Sequence, residues 1–273
     1  MENILLQSKN ILERSLQDFK PYAVTLLLSG GKDSLAALQV CLSLEIKIDF
    51  IIHINTRTGI KQTTDFVREY STKLGIPYLE GDAGTKYEER VLSKGFFGRG
   101  FLAHSYSYHI LKKSTLDNLL SREIRQRKRG RKILLINGAR SEESLARSKK
   151  LPTPIRQDRS NIWVNAVHHW QEDDCLDFCR DNKTPINPVA QQLCRSAECM
   201  CGTMQSQAAR EEAAFFYPEW GRWLDDLEKE VLKTHPWKWG QNVSRQWQLE
   251  QQGQLNLFDQ PMCKSCLSTR NSL

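Results

Sequence analysis

The chain has no apolar run approaching the roughly 20 residues that a membrane-spanning helix needs, so no membrane role is expected. Its opening, Met1-Glu2-Asn3-Ile4, lacks a charged segment followed by a long apolar core. No export signal is therefore read, and a cytoplasmic location is the expectation. No internal repeat and no low-complexity tract is present, which sets aside repeat architectures. Acid is in short supply: 32 Asp and Glu stand against 39 Lys and Arg, for a net charge of +7. That balance permits a polyanionic partner without demanding one. At 273 residues, 40% of them apolar, the chain can bury a full core as one large domain or as a domain with a small appendage.

Cysteine is plentiful, at eight residues. In a cytoplasmic chain these are not read as a disulfide framework. Two tight groups, Cys199-x-Cys201 with Cys194 nearby and Cys263-x-x-Cys266, are separated by about sixty residues. Two close pairs from distant segments are a common way to supply four thiolates to a metal or cluster. Cys194 can replace any one of the four. Cys41, Cys175 and Cys179 fall on apolar helical faces and read as core.

The chain is organised around Ser29-Gly30-Gly31-Lys32-Asp33-Ser34. An apolar run from Ala23 to Leu28 leads in, and a helix-forming run from Leu35 to Val40 leads out. Strand, glycine turn and helix aim backbone N–H groups at a phosphate. The glycines let the backbone approach an anion, Lys32 adds positive charge, and Ser29 and Ser34 add hydroxyls. A Walker A loop is excluded, because Leu26 stands where that pattern requires glycine.

Apolar spacing predicts a helix over residues 3–19, ended by Pro21, and another over about 32–44. A near-continuous apolar strand, Ile48 to Ile54, ends in the polar loop Asn55-Thr56-Arg57-Thr58-Gly59. A helix over about 62–74, a short strand at Tyr78-Leu79 and a charged, glycine-rich loop over 81–102 follow. A long helix over about 104–127 precedes the strand Leu134 to Asn137. Strands alternating with helices predict a doubly wound, mostly parallel α/β sheet. The short run Ile162-Trp163-Val164, an acidic helix from Trp170 to Arg180 and a helix over 207–233 follow. A soft boundary near residue 160 separates a nucleotide-binding domain (1–160) from a helical, cysteine-bearing region (161–273).

Ser29 to Ser34 resembles the PP-loop of the ATP pyrophosphatases and sulfonucleotide reductases. Further segments resemble the phosphoadenosine phosphosulfate reductase family in the right order: Ile54-Asn55-Thr56-x-x-Gly59, His104 with Lys112, Gly138 to Ser144 with Arg147, Trp170 with Glu172-Asp173-Asp174, and Asn187-Pro188 with Arg195 to Gly202. Together they cover about residues 22–203. The resemblance implies an adenine nucleotide alpha hydrolase-like fold and ATP on the first loop with Mg²⁺ across its phosphates. Ser29, Gly30, Gly31, Lys32, Asp33 and Ser34 would contact the phosphates, and Asp33 is a candidate Mg²⁺ ligand. Asn55, Thr56 and Gly59 would border the nucleotide. Arg140 and Arg147, with Lys112 or Lys113, would hold the α-phosphate or the acceptor, although Arg140, Glu143 and Arg147 also have the spacing of a surface ion-pair set. Catalysis is placed on Lys32, Asp33 and Arg140. Cys199, Cys201, Cys263 and Cys266 would hold a [4Fe–4S] cluster, with zinc the alternative.

The sulfonucleotide reductases carry a thiol in a Glu-Cys-Gly-[Leu/Ile]-His context, and this chain has no such stretch. A nucleophilic cysteine needs an activating neighbour. The chain is therefore most similar to the DNA phosphorothioation sulfurtransferases of the Dnd and Ssp types. That implies ATP pyrophosphatase activity that adenylates a substrate for sulfur transfer, a DNA substrate, and a cysteine desulfurase among other sulfur-modification partners. The alternatives are a thioredoxin-dependent sulfonucleotide reductase and a nucleotide- or nucleic-acid-binding module without catalysis. The basic residues from Arg122 to Lys132 read either as a solvated helix end or as a track for a nucleic-acid backbone.

Overall fold

Strands and helices alternate as the periodicity predicts in a computed structural model that describes residues 2–126, 130–143, 152–244 and 247. The strands are β1 (Ala23–Leu27), β2 (Phe50–Asn55), β3 (Tyr78–Asp82), β4 (Ile133–Asn137), β5 (Ile155–Asp158) and β6 (Asn161–Asn165). In chain order the helices are α1 (Glu2–Phe19), α2 (Lys32–Ser43), α3 (Lys61–Lys73), α4 (Lys86–Lys94), α5 (Phe101–Tyr108), α6 (Ser114–Leu119), α7 (Glu172–Asp181), α8 (Pro188–Leu193), α9 (Gln207–Phe216) and α10 (Pro218–Val231).

The six strands form one sheet in the order β3-β2-β1-β4-β6-β5. Every pair is parallel except β5 with β6. β1 and β4 are buried along nearly their whole length, which is why they read as continuous apolar runs. One face carries Leu26, Ile51, Leu134 and Ile162 against α1, α2, α3 and α7. The other carries Ile52, Ile54, Ile133 and Leu135 against Leu116, Leu119, Leu120 and Ile124. Each such fully buried aliphatic side chain contributes about 1.5–3 kcal/mol. Strand order reverses between β1 and β4, so the crevice at their carboxyl ends is where this architecture places a ligand.

Four features depart from the sequence expectation. The stretch over 81–102 contains α4, whose buried Tyr87 and Val91 sit one turn apart among charged residues that mask the pattern. The expected long helix is α5 and α6 with wide π turns at His109–Lys113 and Leu120–Ile124. The helix expected over 207–233 is two, because Pro218 forces Tyr217 out of the helical region, to φ −129° and ψ 72°. β5 was not expected, since Ile155 is its one apolar residue and it lies at the sheet edge.

The boundary expected near residue 160 falls in the turn between β5 and β6, and the first core continues past it through Trp170 to Phe178. A third apolar cluster gathers α4, α8, residues 197–201, α9, α10, Trp237 and Trp239. No helix among the described residues is long and apolar enough to cross a membrane.

Candidate active site

The first loop closes on itself at the amino end of α2. Ser34 Oγ donates to the Gly31 carbonyl at 2.8 Å, lies 3.0 Å from Ser29 Oγ and accepts from the Ser29 amide at 3.2 Å. No side chain caps the helix, so its first turn presents backbone N–H groups and the positive end of the helix dipole. Asn187 Nδ2 donates to the Gly30 carbonyl at 3.0 Å and fixes the loop from outside. The loop after β4 presses on the same turn: a Cβ on Gly138 would lie 2.2 Å from the Asp33 carbonyl oxygen, so only glycine fits there.

Four charges meet at that turn. Arg140 Nε donates to Asp33 Oδ1 at 3.0 Å, and Arg140 Nη2 lies 3.9 Å from Glu172 Oε2. Lys32 Nζ lies 3.1 Å from the other oxygen of Glu172. Arg140 is only 3% exposed, which argues against a surface ion-pair set. Glu172 opens α7, where Gln171 and Asp174 form a capping box. Two cations thus converge on the amino end of α2, bridged by one exposed carboxylate and braced by another. Asp33 engages Arg140, and it also contributes to raising the buried Cys175 thiol, for which desolvation is the main cause.

The second loop is covered rather than open. Thr56 Oγ1 donates to the Glu198 carbonyl at 2.9 Å, and the Ile60 amide donates to the Ala197 carbonyl at 2.9 Å. A Cβ on Gly59 would lie 2.2 Å from the Glu198 carbonyl oxygen. Asn55 Nδ2 donates to Glu80 at 3.0 Å. Residues 196–201 therefore run along this loop, and Ser196 also faces Gly31, 3.5 Å from where its Cβ would be.

That segment carries Cys199 and Cys201. Thr58 Oγ1 donates to Cys199 Sγ at 3.7 Å, while Ser107 Oγ and Thr203 Oγ1 lie 3.5 Å and 3.3 Å from Cys201 Sγ. Hydrogen bonding from Cys199 chiefly, opposed by burial and helped by Ser107 and Thr203, lowers the pKa of Cys201. The same thiol–thiol bond, then burial, pushes Cys199 well up. Lys112, in the first π turn, reaches Glu198 Oε2 at 2.7 Å. Burial works against its charge, but Glu198 and Cys199 override it and raise its pKa. His104 Nδ1 lies 3.3 Å from Thr203 Oγ1.

The structure thus joins Ser29 to Ser34 with Arg140, and joins Asn55, Thr56 and Gly59 with the cysteine segment. Lys112 belongs to the latter, and Lys113 pairs with Asp117 at 2.8 Å. Cys194 is exposed, in the left-handed conformation at the end of α8, whereas Cys199 is half-buried and Cys201 buried. Arg147, Cys263 and Cys266 lie outside the described residues, as do Arg127, Lys128 and Arg129. Among the described residues no group of three or more His, Cys, Asp or Glu is placed to hold a metal. Cys41 and Cys175 are core residues. His53 is a core residue as well, with Nδ1 2.8 Å from the Leu28 carbonyl and Nε2 3.1 Å from Thr64 Oγ1.

Sequence reasoning gave no site role to Thr58, Ser107, Asn187, Glu198 or Thr203, and cited Glu172 only as part of an acidic turn. Asn187 had a local signal, an Asn-Pro pair that caps α8 with proline in its first turn. Thr58, Ser107, Glu198 and Glu172 have none, because their partners lie far away in the chain, and Thr203, two residues from Cys201, carries no pattern of its own.

No curated protein matches this chain. Among solved structures, it is similar to a phosphoadenylyl-sulfate reductase from Candida auris in a phosphate complex, at 17% identity over 67% of this chain and 83% of that one, with a TM-score of 0.48. It is similar to an NMN synthetase from Francisella tularensis at 12% identity, 83% and 94% coverage and TM-score 0.46. A U34-tRNA thiolase from Methanococcus maripaludis with its [4Fe–4S] cluster is 14% identical, with 99% and 89% coverage and TM-score 0.43. The family match runs from β1 to just beyond the cysteine segment: residues 23–205 fit the phosphoadenosine phosphosulfate reductase domain, and the chain belongs to that family.

Proposed function

We propose that this protein is an ATP pyrophosphatase that adenylates an acceptor for sulfur transfer, with a DNA phosphate as the acceptor. The observation that carries the reading is the convergence of Lys32 and Arg140 on the uncapped amino end of α2. Backbone N–H groups and Lys32 would hold the β- and γ-phosphates, and Mg²⁺ would bridge them. Arg140, held by Asp33, would face the α-phosphate, where charge develops as the acceptor oxygen attacks and pyrophosphate leaves. Asp33 then serves as a positioning residue for Arg140. The outer sulfur of a persulfide from a cysteine desulfurase would displace AMP from the adenylated acceptor, and a second thiol would then cleave the resulting S–S bond, supplying two electrons and leaving the sulfur on the acceptor.

Cys199 and Cys201 fit two corners of a metal centre, since hydroxyl groups already stand beside both sulfurs. Cys199 and Cys201, with Cys263 and Cys266, would hold a [4Fe–4S] cluster or, in the second place, zinc. Such a cluster supplies a site for sulfur or electron delivery. Thr58, Ser107 and Thr203 would donate hydrogen bonds to the ligating sulfurs, and Lys112 would offset their negative charge.

Reduction of a sulfonucleotide is the second reading, favoured by the family match itself. The missing Glu-Cys-Gly-[Leu/Ile]-His stretch weighs against it. Purified protein is incubated with ATP and Mg²⁺, and separately with phosphoadenylyl sulfate and a thiol reductant. With water in the acceptor's place, AMP and pyrophosphate in equal amounts are expected; sulfite without them would replace this reading with the reductase.

A further inference from the structure

The carboxyl end of β2 borders a second concavity that the nucleotide reading leaves unused. It encloses about 560 Å³ between the second loop and the start of α10, and no residue of the first loop lines it. Arg57, Lys61 and Arg222 bring three cations to its walls against one carboxylate, Glu219. Arg57 pairs with Asp82 and Lys61 with Asp65, while Arg222 has no ion-pair partner among the described residues. Phe216, Tyr217, Trp220 and Trp223 form the aromatic wall, with Trp220 buried beneath it.

The aromatic wall is unusual in its exposure. Phe216 is 41% exposed, and its neighbour Phe215, in edge contact at 5.0 Å, is 77% exposed. The Phe-Phe-Tyr step sits where Pro218 breaks the chain between α9 and α10, so the rings are presented from a fixed corner. Two adjacent exposed rings beside cations suit a partner with both a flat apolar face and negative charge. Nucleic-acid bases and phosphates have that combination, and unpaired bases offer their faces for stacking.

We infer that this groove binds an unpaired stretch of nucleic acid, with bases stacked on Phe216 and Tyr217 and phosphates on Arg222, Arg57 and Lys61. This rests on the reading of the protein as a nucleic-acid-modifying enzyme and names the surface that holds the strand. Gly59 lies in both the groove wall and the contact with Glu198, so a strand here lies at the same end of the sheet as the first loop.

The test is fluorescence anisotropy with the full-length protein, a labelled single strand of about 12 nucleotides and the matching duplex, across a salt series. The single strand binds more tightly than the duplex. Phe216→Ala weakens single-strand binding about tenfold, as loss of a stacked base does. Arg222→Glu weakens it about tenfold and lowers the slope of log affinity against log salt by about one. Both variants convert ATP as the parent does when nucleic acid is absent. Variants that keep parental affinity, or equal binding of duplex and single strand, overturn the inference; a groove that serves a protein partner gives the first of these. If the parent binds the strand through these residues but forms no AMP, the groove stands and the reading of the first loop falls. If AMP forms and strand binding ignores both substitutions, the reverse holds.

Discussion

The two loops at the carboxyl end of the sheet are built in opposite ways. In the first, the hydrogen bonds among Ser29, Gly31 and Ser34 span at most five residues. In the second, Thr56 and Thr58 are tied to Glu198 and Cys199 across 142 and 141 residues, and Cys201 meets Ser107 across 94. The first loop holds its shape chiefly through bonds within its own sequence, with Asn187 bracing the Gly30 carbonyl from outside. The second and its thiols hold theirs only while helix, loop and cysteine segment are docked together. Damage to the first should stay local, and damage to the second should spread.

The sharpest test of that contrast is Lys112→Met. It leaves Glu198, whose side chain is 10% exposed, without its cation. Removing one partner of such a buried pair costs about 3 kcal/mol, so the urea midpoint should fall well below that of the parent. An unchanged midpoint would show that the cysteine segment does not depend on this contact. Next, Gly59→Ala drives a Cβ into the Glu198 carbonyl and should cost about 2 kcal/mol, through backbone displacement. The same variant should make Cys199 and Cys201 react faster with a thiol reagent, because the segment covering them lifts. By contrast, Ser34→Ala removes a hydroxyl that serves only its own loop, and should cost about 1 kcal/mol with no change in thiol reactivity. A larger loss than that of Gly59→Ala would reverse the comparison.

The sequence displayed the first loop because strand, glycines, lysine and helix are consecutive, and each local preference agrees with the fold. β1, β2 and β4 were legible for a similar reason: burial on both faces leaves an unbroken apolar signature. The second site was half legible. Cys199-x-Cys201 announces itself, but Thr58, Ser107 and Lys112 become its neighbours only through packing. α4 and β5 were hidden because charged and polar residues outnumber the two or fewer side chains each buries. The split at Tyr217-Pro218 was available from proline chemistry alone, and the helical composition on either side concealed it.

The smallest effect concerns how the loop after β4 is anchored. The Ser141 amide and hydroxyl both donate to the His168 carbonyl, at 2.9 Å and 3.0 Å. The His168 ring is buried, and burial first, then the neighbouring His169, lower its pKa below 6.5. The unfolded chain therefore takes up a proton at higher pH than the fold does. Stability from this group is complete above pH 6.5 and is lost as pH falls through the lowered folded value. A urea midpoint that declines in that window in the parent, and less in His168→Gln, is expected. Equal declines would assign the pH dependence to other groups.

The account depends most on a triphosphate held where β1 gives way to α2. The direct measurement is the rate of AMP and pyrophosphate formation by Lys32→Ala beside the parent protein, both at saturating ATP and Mg²⁺. Loss of a preorganised charge at a leaving group costs roughly 100-fold or more, and that fall is predicted with the urea midpoint unchanged. Turnover by Lys32→Ala at the parental rate would contradict it.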